Sequence, residues 1–147
     1  MEKEVKASIN INAKTSKVWD ALTKSEYTKQ YMFGCEAITD WKPGSSLDWK
    51  GQLEGKDMVF VTGKIVKIEP AKFLEYTIFD PNSNLKNIPS NHLHVTYNLS
   101  RENGHTVLNV TTGDFTKVEE GERRYNDTIS GGGWASVLEG IKKLAEQ

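Results

Sequence analysis

Trp134, Val137, Leu138, Ile141, Leu144 and Ala145 recur at i, i+3, i+4, i+7, i+10 and i+11, with Lys142, Lys143 and Glu146 on the other side. That spacing is one apolar stripe along a C-terminal helix. No other segment reads as a helix of similar length, so the stripe has no helical partner. It must bury itself on a sheet, and the rest of the chain has to supply an apolar sheet surface that can receive it.

Val5, Ala7, Ile9 and Ile11 alternate with Lys6, Ser8, Asn10 and Asn12, the period of a half-buried strand. Two short helices then interrupt the sheet. Thr15 or Ser16 can cap one that carries Val18, Trp19 and Leu22, and Ser25 can cap another that carries Tyr27, Tyr31 and Met32. From Cys35 onward strands alternate with turns. Pro43-Gly44 leads into Leu47, Trp49 and Leu53; Glu54 to Asp57 turns the chain into the long apolar stretch Met58 to Ile68. The parity of that stretch stays open, with Val59, Val61 and Ile65 on one face and Phe60, Val66 and Ile68 on the other. Gly63 is the expected bulge between its halves. Leu74, Tyr76 and Ile78 form a further strand, and Leu93, Val95, Tyr97 and Leu99 another. Asn103-Gly104, the strongest hairpin signal in the chain, joins that one to Leu108, Val110 and Thr112. The expected class is α+β, one domain over residues 1–147. It consists of a curved antiparallel sheet of six to seven strands, two short helices, and one long C-terminal helix on the concave face.

Composition limits the partners. Nineteen Lys and Arg stand against twenty Asp and Glu, with no basic cluster denser than Arg123-Arg124 or Lys142-Lys143, whereas nucleic-acid recognition leaves a basic stripe. Cys35 is the single cysteine. It forbids an internal disulfide and a Cys-based zinc cluster, and it fits a reduced cytoplasm. Apolar runs fall short of the ~20 residues of a spanning helix, and Met1 to Asn12 alternates where a signal peptide would be continuously apolar. A cytoplasmic location without membrane insertion is expected.

Four stretches occur in a telling order: Val18-Trp19-Asp20-Ala21-Leu22-Thr23; Trp41-Lys42-Pro43-Gly44; Gly63-Lys64-Ile65-Val66-Lys67-Ile68-Glu69-Pro70 with Leu74-Glu75-Tyr76-Thr77; and Gly133-Trp134 with Leu138. Their order and spacing resemble the domain family named after the C-terminal domain of the activator of heat shock protein 90 ATPase, within the START-like, birch-pollen-allergen-like (SRPBCC) superfamily. The resemblance spans essentially the whole chain. It implies the helix-grip fold, a cavity between sheet and terminal helix, and, as an alternative role, a chaperone partner.

Trp49, Tyr76 and Tyr97 are expected to point into the space under the helix, with Trp134 meeting them from above. Phe60, Ile78, Val95, Leu108, Val110 and Leu138 complete the expected lining. An apolar wall with a few polar handles is how small-molecule pockets are built, although a solid aromatic core would show the same pattern. The resemblance favours the cavity. Gly131-Gly132-Gly133 precedes Trp134, and each helical glycine costs about 1 kcal/mol relative to alanine. A kink or flexible joint at the start of the long helix is expected, in preference to a binding role; a loop with the helix starting at Trp134 is the simpler alternative. Tyr125 and Ile129, which fall on a different face from the Trp134 stripe, support a break.

Pro81 to Pro89 is a polar loop expected near the cavity mouth, read as a surface connection in preference to a lid. His92 and His94 share a strand face and could chelate a metal, but Leu93 and Val95 claim the buried side and no third ligand stands at chelating spacing. Cys35 reads as a small packed hydrophobe. Glu36, Glu75 and Arg123 are the only charged residues that could turn inward, which is no catalytic constellation. The expected function is therefore binding of a hydrophobic, aromatic or lipid-like small molecule without cofactor or metal, by a monomer or weak homodimer. A chaperone-interacting regulatory module is the alternative, and a cyclase or hydrolase is a further one.

Overall fold

Alternation becomes pairing in the computed structural model, which describes residues 3–147. Strands β1 (Val5–Ile11), β2 (Glu36–Ile38), β3 (Ser46–Leu53), β4 (Lys56–Glu69), β5 (Phe73–Ile78), β6 (Leu93–Glu102) and β7 (His105–Gly113) form one sheet in the order β1-β7-β6-β5-β4-β3-β2. Every pair is antiparallel. The fold is thus the expected α+β helix-grip arrangement, with seven strands. Asn103 and Gly104 have φ of 50° and 85°, the positive values that a type I′ turn requires between β6 and β7.

Two bulges explain why the parity of β4 is illegible. Trp49 pairs with Val61 but Lys50 with Val59, which makes Phe60 the extra residue. Ile65 pairs with Tyr76 but Lys67 with Glu75, which makes Val66 the second. Each extra residue inverts the faces beyond it. Ile65 and Ile68, three apart, therefore both pack on the core while Val66 lies exposed. The bulge expected at Gly63 is not there. Gly63 instead admits the neighbouring strand, because a Cβ at that position would lie 1.7 Å from the Thr77 carbonyl oxygen.

Helices α1 (Thr15–Thr23) and α2 (Ser25–Tyr31) begin one residue after Lys14 and Lys24, which hold the N-cap positions without a side-chain cap. Thr15 and Ser25 are thus first helical residues, not caps. The glycine triplet also departs from expectation. It is no kink inside one helix but the break between two, α3 (Gly121–Ser130) and α4 (Ala135–Ala145). Gly132 and Gly133 have φ of 92° and 61°, the left-handed turn that ends helices. Trp134 then becomes the N-cap of α4.

Helix α4 buries Val137, Leu138, Ile141 and Ala145 and packs against β1, α1 and α2. It meets α2 closely at Gly140, where an added Cβ would stand 2.4 Å from Cβ of Tyr31. The helix therefore lies toward the β1 edge of the concave face, and the sheet extends past it over β3, β4 and β5.

Candidate functional site

Four aromatic rings cross the concave face in a row. Trp49 on β3 lies 5.9 Å from Tyr76 on β5, Tyr76 lies 6.1 Å from Tyr97 on β6, and Tyr97 meets Trp134 edge-on at 5.9 Å. Each such contact contributes about 0.5–1.5 kcal/mol beyond the area it buries. The row ends at a hydrogen bond, in which the Trp134 indole Nε1–H donates to Thr112 Oγ1 at 2.7 Å.

Beside this row, where the sheet outruns α4, is a cavity of about 390 Å³. Of the residues expected to line it, Trp49, Phe60, Tyr76, Ile78 and Trp134 border the space. Val95, Tyr97, Leu108, Val110 and Leu138 lie in the packed core with Ile141 and do not border the space. The wall also takes residues that sequence reasoning passed over, among them Met32, Phe33, Val61, Leu93, Thr112 and Val137. Val61 reaches it because the Phe60 bulge turns two consecutive side chains toward the same space. Met32 and Phe33 reach it because α2 is fixed on its other side, by Gly140 against Tyr31 and by the Tyr31 hydroxyl donating to Ala21 O at 2.7 Å. Phe33 is 84% exposed, so the cavity reaches solvent at the end of α2.

Among the described residues, no Asp, Glu, Lys, Arg or His borders the cavity. Burial pushes the Tyr76 phenol far above its usual range, and a hydrogen bond from Tyr97 works in the opposite sense. Burial raises Tyr97 and Tyr31 as well. All three remain neutral hydroxyls at ordinary pH. Cys35 also lines the wall, and burial pushes its thiol up. Among the described residues the one buried side-chain polar atom without a partner is Asp114 Oδ2, which is not part of this wall. The cavity thus asks for no ionic or strongly polar guest.

The charged candidates stand elsewhere. Glu75 accepts from His94 Nδ1 at 2.8 Å on the convex face, Arg123 pairs with Glu120 and Asp127, and Glu36 borders a separate groove with Lys50 and Asp57. His92 is held between Thr77 Oγ1 (3.2 Å) and Asn87 Oδ1 (2.7 Å) and stacks on Phe79. Among the described residues no group of three His, Cys, Asp or Glu is placed to hold a metal ion, and no helix is long and apolar enough to cross a membrane. The loop from Pro81 to Pro89 contributes nothing to the cavity wall; Asn82 Nδ2 donates to Val59 O, and Asn87 and Pro89 border a groove on the convex side.

Residues 12–146 match the family described as activator of Hsp90 ATPase homolog 1-like protein. A protein of Cytophaga hutchinsonii, known from a solution structure, is 32% identical over 97% of this chain and 94% of its own, with a TM-score of 0.73. The Aha1 dimer from Colwellia psychrerythraea shares the fold at 18% identity, over 98% of this chain and 96% of that one, with a TM-score of 0.69. An Hsp90 activator from Plasmodium falciparum shares it at 16% identity, over 76% of this chain and 72% of that one, with a TM-score of 0.59. No curated protein matches the sequence.

Proposed function

The chain belongs to the activator of Hsp90 ATPase homolog 1-like family, and we propose that it binds an uncharged hydrophobic or aromatic small molecule in the cavity beside α4. The observation that carries this reading is a space of about 390 Å³ bordered, among the described residues, by aromatic and aliphatic side chains and by no charged one. Apolar concavity with few polar groups is the usual character of a small-molecule site. Trp49 and Phe60 offer ring surface, and Tyr76 and Thr112 offer neutral hydroxyls. Binding is favoured over catalysis because Glu36, Glu75 and Arg123 all stand outside the wall.

The test is uptake of N-phenyl-1-naphthylamine, an uncharged fluorescent probe, alongside native mass spectrometry of the freshly purified chain. Saturable uptake near one probe per chain, reduced by Ile78→Trp filling the space, supports the reading. No uptake, or uptake indifferent to that substitution, overturns it. Mass spectrometry also reads whether the chain is a monomer or a weak homodimer.

Family membership favours a second reading, association with an Hsp90-type chaperone. An Hsp90 homologue whose ATPase rate is unchanged by saturating amounts of this protein, and which it does not retain in a pulldown, removes that reading.

A further inference from the structure

Trp134 stands between two spaces. On one side is the cavity; on the other is a groove of about 460 Å³ between the edge strand β1 and the junction of α3 with α4, and Trp134 and Gly133 border both. The groove is lined by the apolar side chains of Val5, Ala7, Ile9, Ile129 and Leu138 and also by Lys6, Ser8 and Glu139. We propose that the Trp134 indole is a movable partition that sets the length of ligand the protein accepts. When it turns aside, cavity and groove join into one channel for an uncharged molecule with a long apolar arm. This inference rests on the cavity reading above.

Three features make the ring a partition instead of a fixed wall. It sits at the N-cap of α4, outside the regular helix, directly after Gly132 and Gly133 in left-handed conformation. An added Cβ at Gly132 would meet nothing within 4 Å, and one at Gly133 only Val5 Cγ1 at 3.6 Å, so the joint is not wedged by its surroundings. Among the described residues the indole N–H makes a single hydrogen bond, to Thr112 Oγ1, and its one aromatic contact is edge-on with Tyr97. Trp134 is only partly buried, whereas Tyr97 beneath it is 1% exposed. Turning the indole out therefore breaks one hydrogen bond and one edge contact, gives up the packing of its ring against the two core clusters it borders, and leaves the fully buried floor beneath it in place. Ile129, half exposed on α3, supplies apolar surface at the far end that a ligand arm would cover.

The experiment is a chain-length series of 1-alkanols, competing against N-phenyl-1-naphthylamine in the whole protein. Each methylene that still finds apolar room tightens binding about threefold to fourfold. In the wild type the gain per methylene drops at the length that fills the cavity, because a longer arm must first turn the indole aside. Trp134→Ala extends the gain by about two or more methylenes, and Thr112→Val, which frees the indole without removing it, shifts it the same way. Ala7→Phe placed in the Trp134→Ala background fills the groove and restores the shorter limit. An identical limit in the wild type and both single variants overturns the partition while leaving the cavity reading intact. A wild type that binds neither probe nor alkanol overturns both.

Discussion

The indole Nε1–H of Trp134 donates to Thr112 Oγ1 at 2.7 Å, tying the N-cap of α4 to β7. Thr112 is 3% exposed and pairs with Val5 on one side and Val95 on the other, so the acceptor is held by a neighbouring strand on each side. Thr112→Val keeps the shape and removes the acceptor. A lost hydrogen bond that leaves a partly covered donor costs about 1–2 kcal/mol. Urea denaturation should show a lower midpoint at unchanged slope, and Thr112→Ser should recover most of the loss. A midpoint equal to the wild type would mean that the bond contributes nothing.

Gly140 makes a sign prediction. On an exposed helix face, Gly→Ala stabilises by about 1 kcal/mol. Here the new methyl would meet Tyr31 Cβ at 2.4 Å, and overpacking of that kind costs about 1–3 kcal/mol. Gly140→Ala should therefore destabilise, by up to about 2 kcal/mol once the propensity gain is subtracted. Because α2 carries Met32 and Phe33 to the cavity mouth, the same substitution should weaken probe uptake. A higher thermal midpoint would contradict the close contact.

How much of the fold is legible in the sequence depends on how local each signal is. The stripe from Trp134 to Ala145, the alternation of β1, β6 and β7, and the Asn103-Gly104 turn are periodic or two-residue signals, and each stands where it is expected. Helix α3 is hidden because Tyr125 and Ile129 are too sparse to make a stripe, and because Gly131 reads as the start of the α4 segment. The bulges at Phe60 and Val66 are hidden because both faces of β4 are apolar, so that an inverted parity leaves no mismatch in the pattern. The cavity wall is harder still. Alternation says that Tyr97, Leu108 and Val110 point inward, as Trp49 and Tyr76 do; only the position of α4 decides which are covered by helix and which face open space. That position depends on Gly140 meeting Tyr31, a contact between residues far apart in the chain.

His92 gives a pH prediction. Burial lowers its pKa, and Lys64 on β4, Arg124 on α3 and His94 on β6 lower it further. Its ring and polar neighbours, Phe79, Thr77 and Asn87, carry no charge that would offset them. The folded state therefore prefers neutral His92, while in the unfolded chain the ring takes its proton near the ordinary value of about 6.5. Stability from this group is complete above that value and is lost as the pH falls below it, until the folded ring protonates too. Urea midpoints between about pH 7.5 and 5 should fall less in His92→Gln than in the wild type, and Lys64→Ala should raise the His92 titration midpoint seen by NMR. A His92 resonance that titrates above about 6.5 would reverse the sign and defeat the prediction.

Cys35 lets the cavity be read chemically, because it is the chain's single thiol and lies in the wall. It is 8% exposed, and burial pushes its pKa up. The reactive species is the thiolate, so both effects slow alkylation, and each unit of upward shift removes about tenfold of the thiolate at a given pH. Iodoacetamide at about pH 8 should label the folded protein about tenfold or more slowly than the urea-unfolded chain. Saturating N-phenyl-1-naphthylamine should slow it again, since a guest beside Trp49 and Phe60 covers the sulfur. Phe33→Ala, which removes the exposed ring at the mouth, should speed labelling of the empty protein with little change in stability. If the probe binds but leaves the labelling rate unchanged, it occupies some other surface, and the assignment of this cavity as the binding site fails even though binding itself is real.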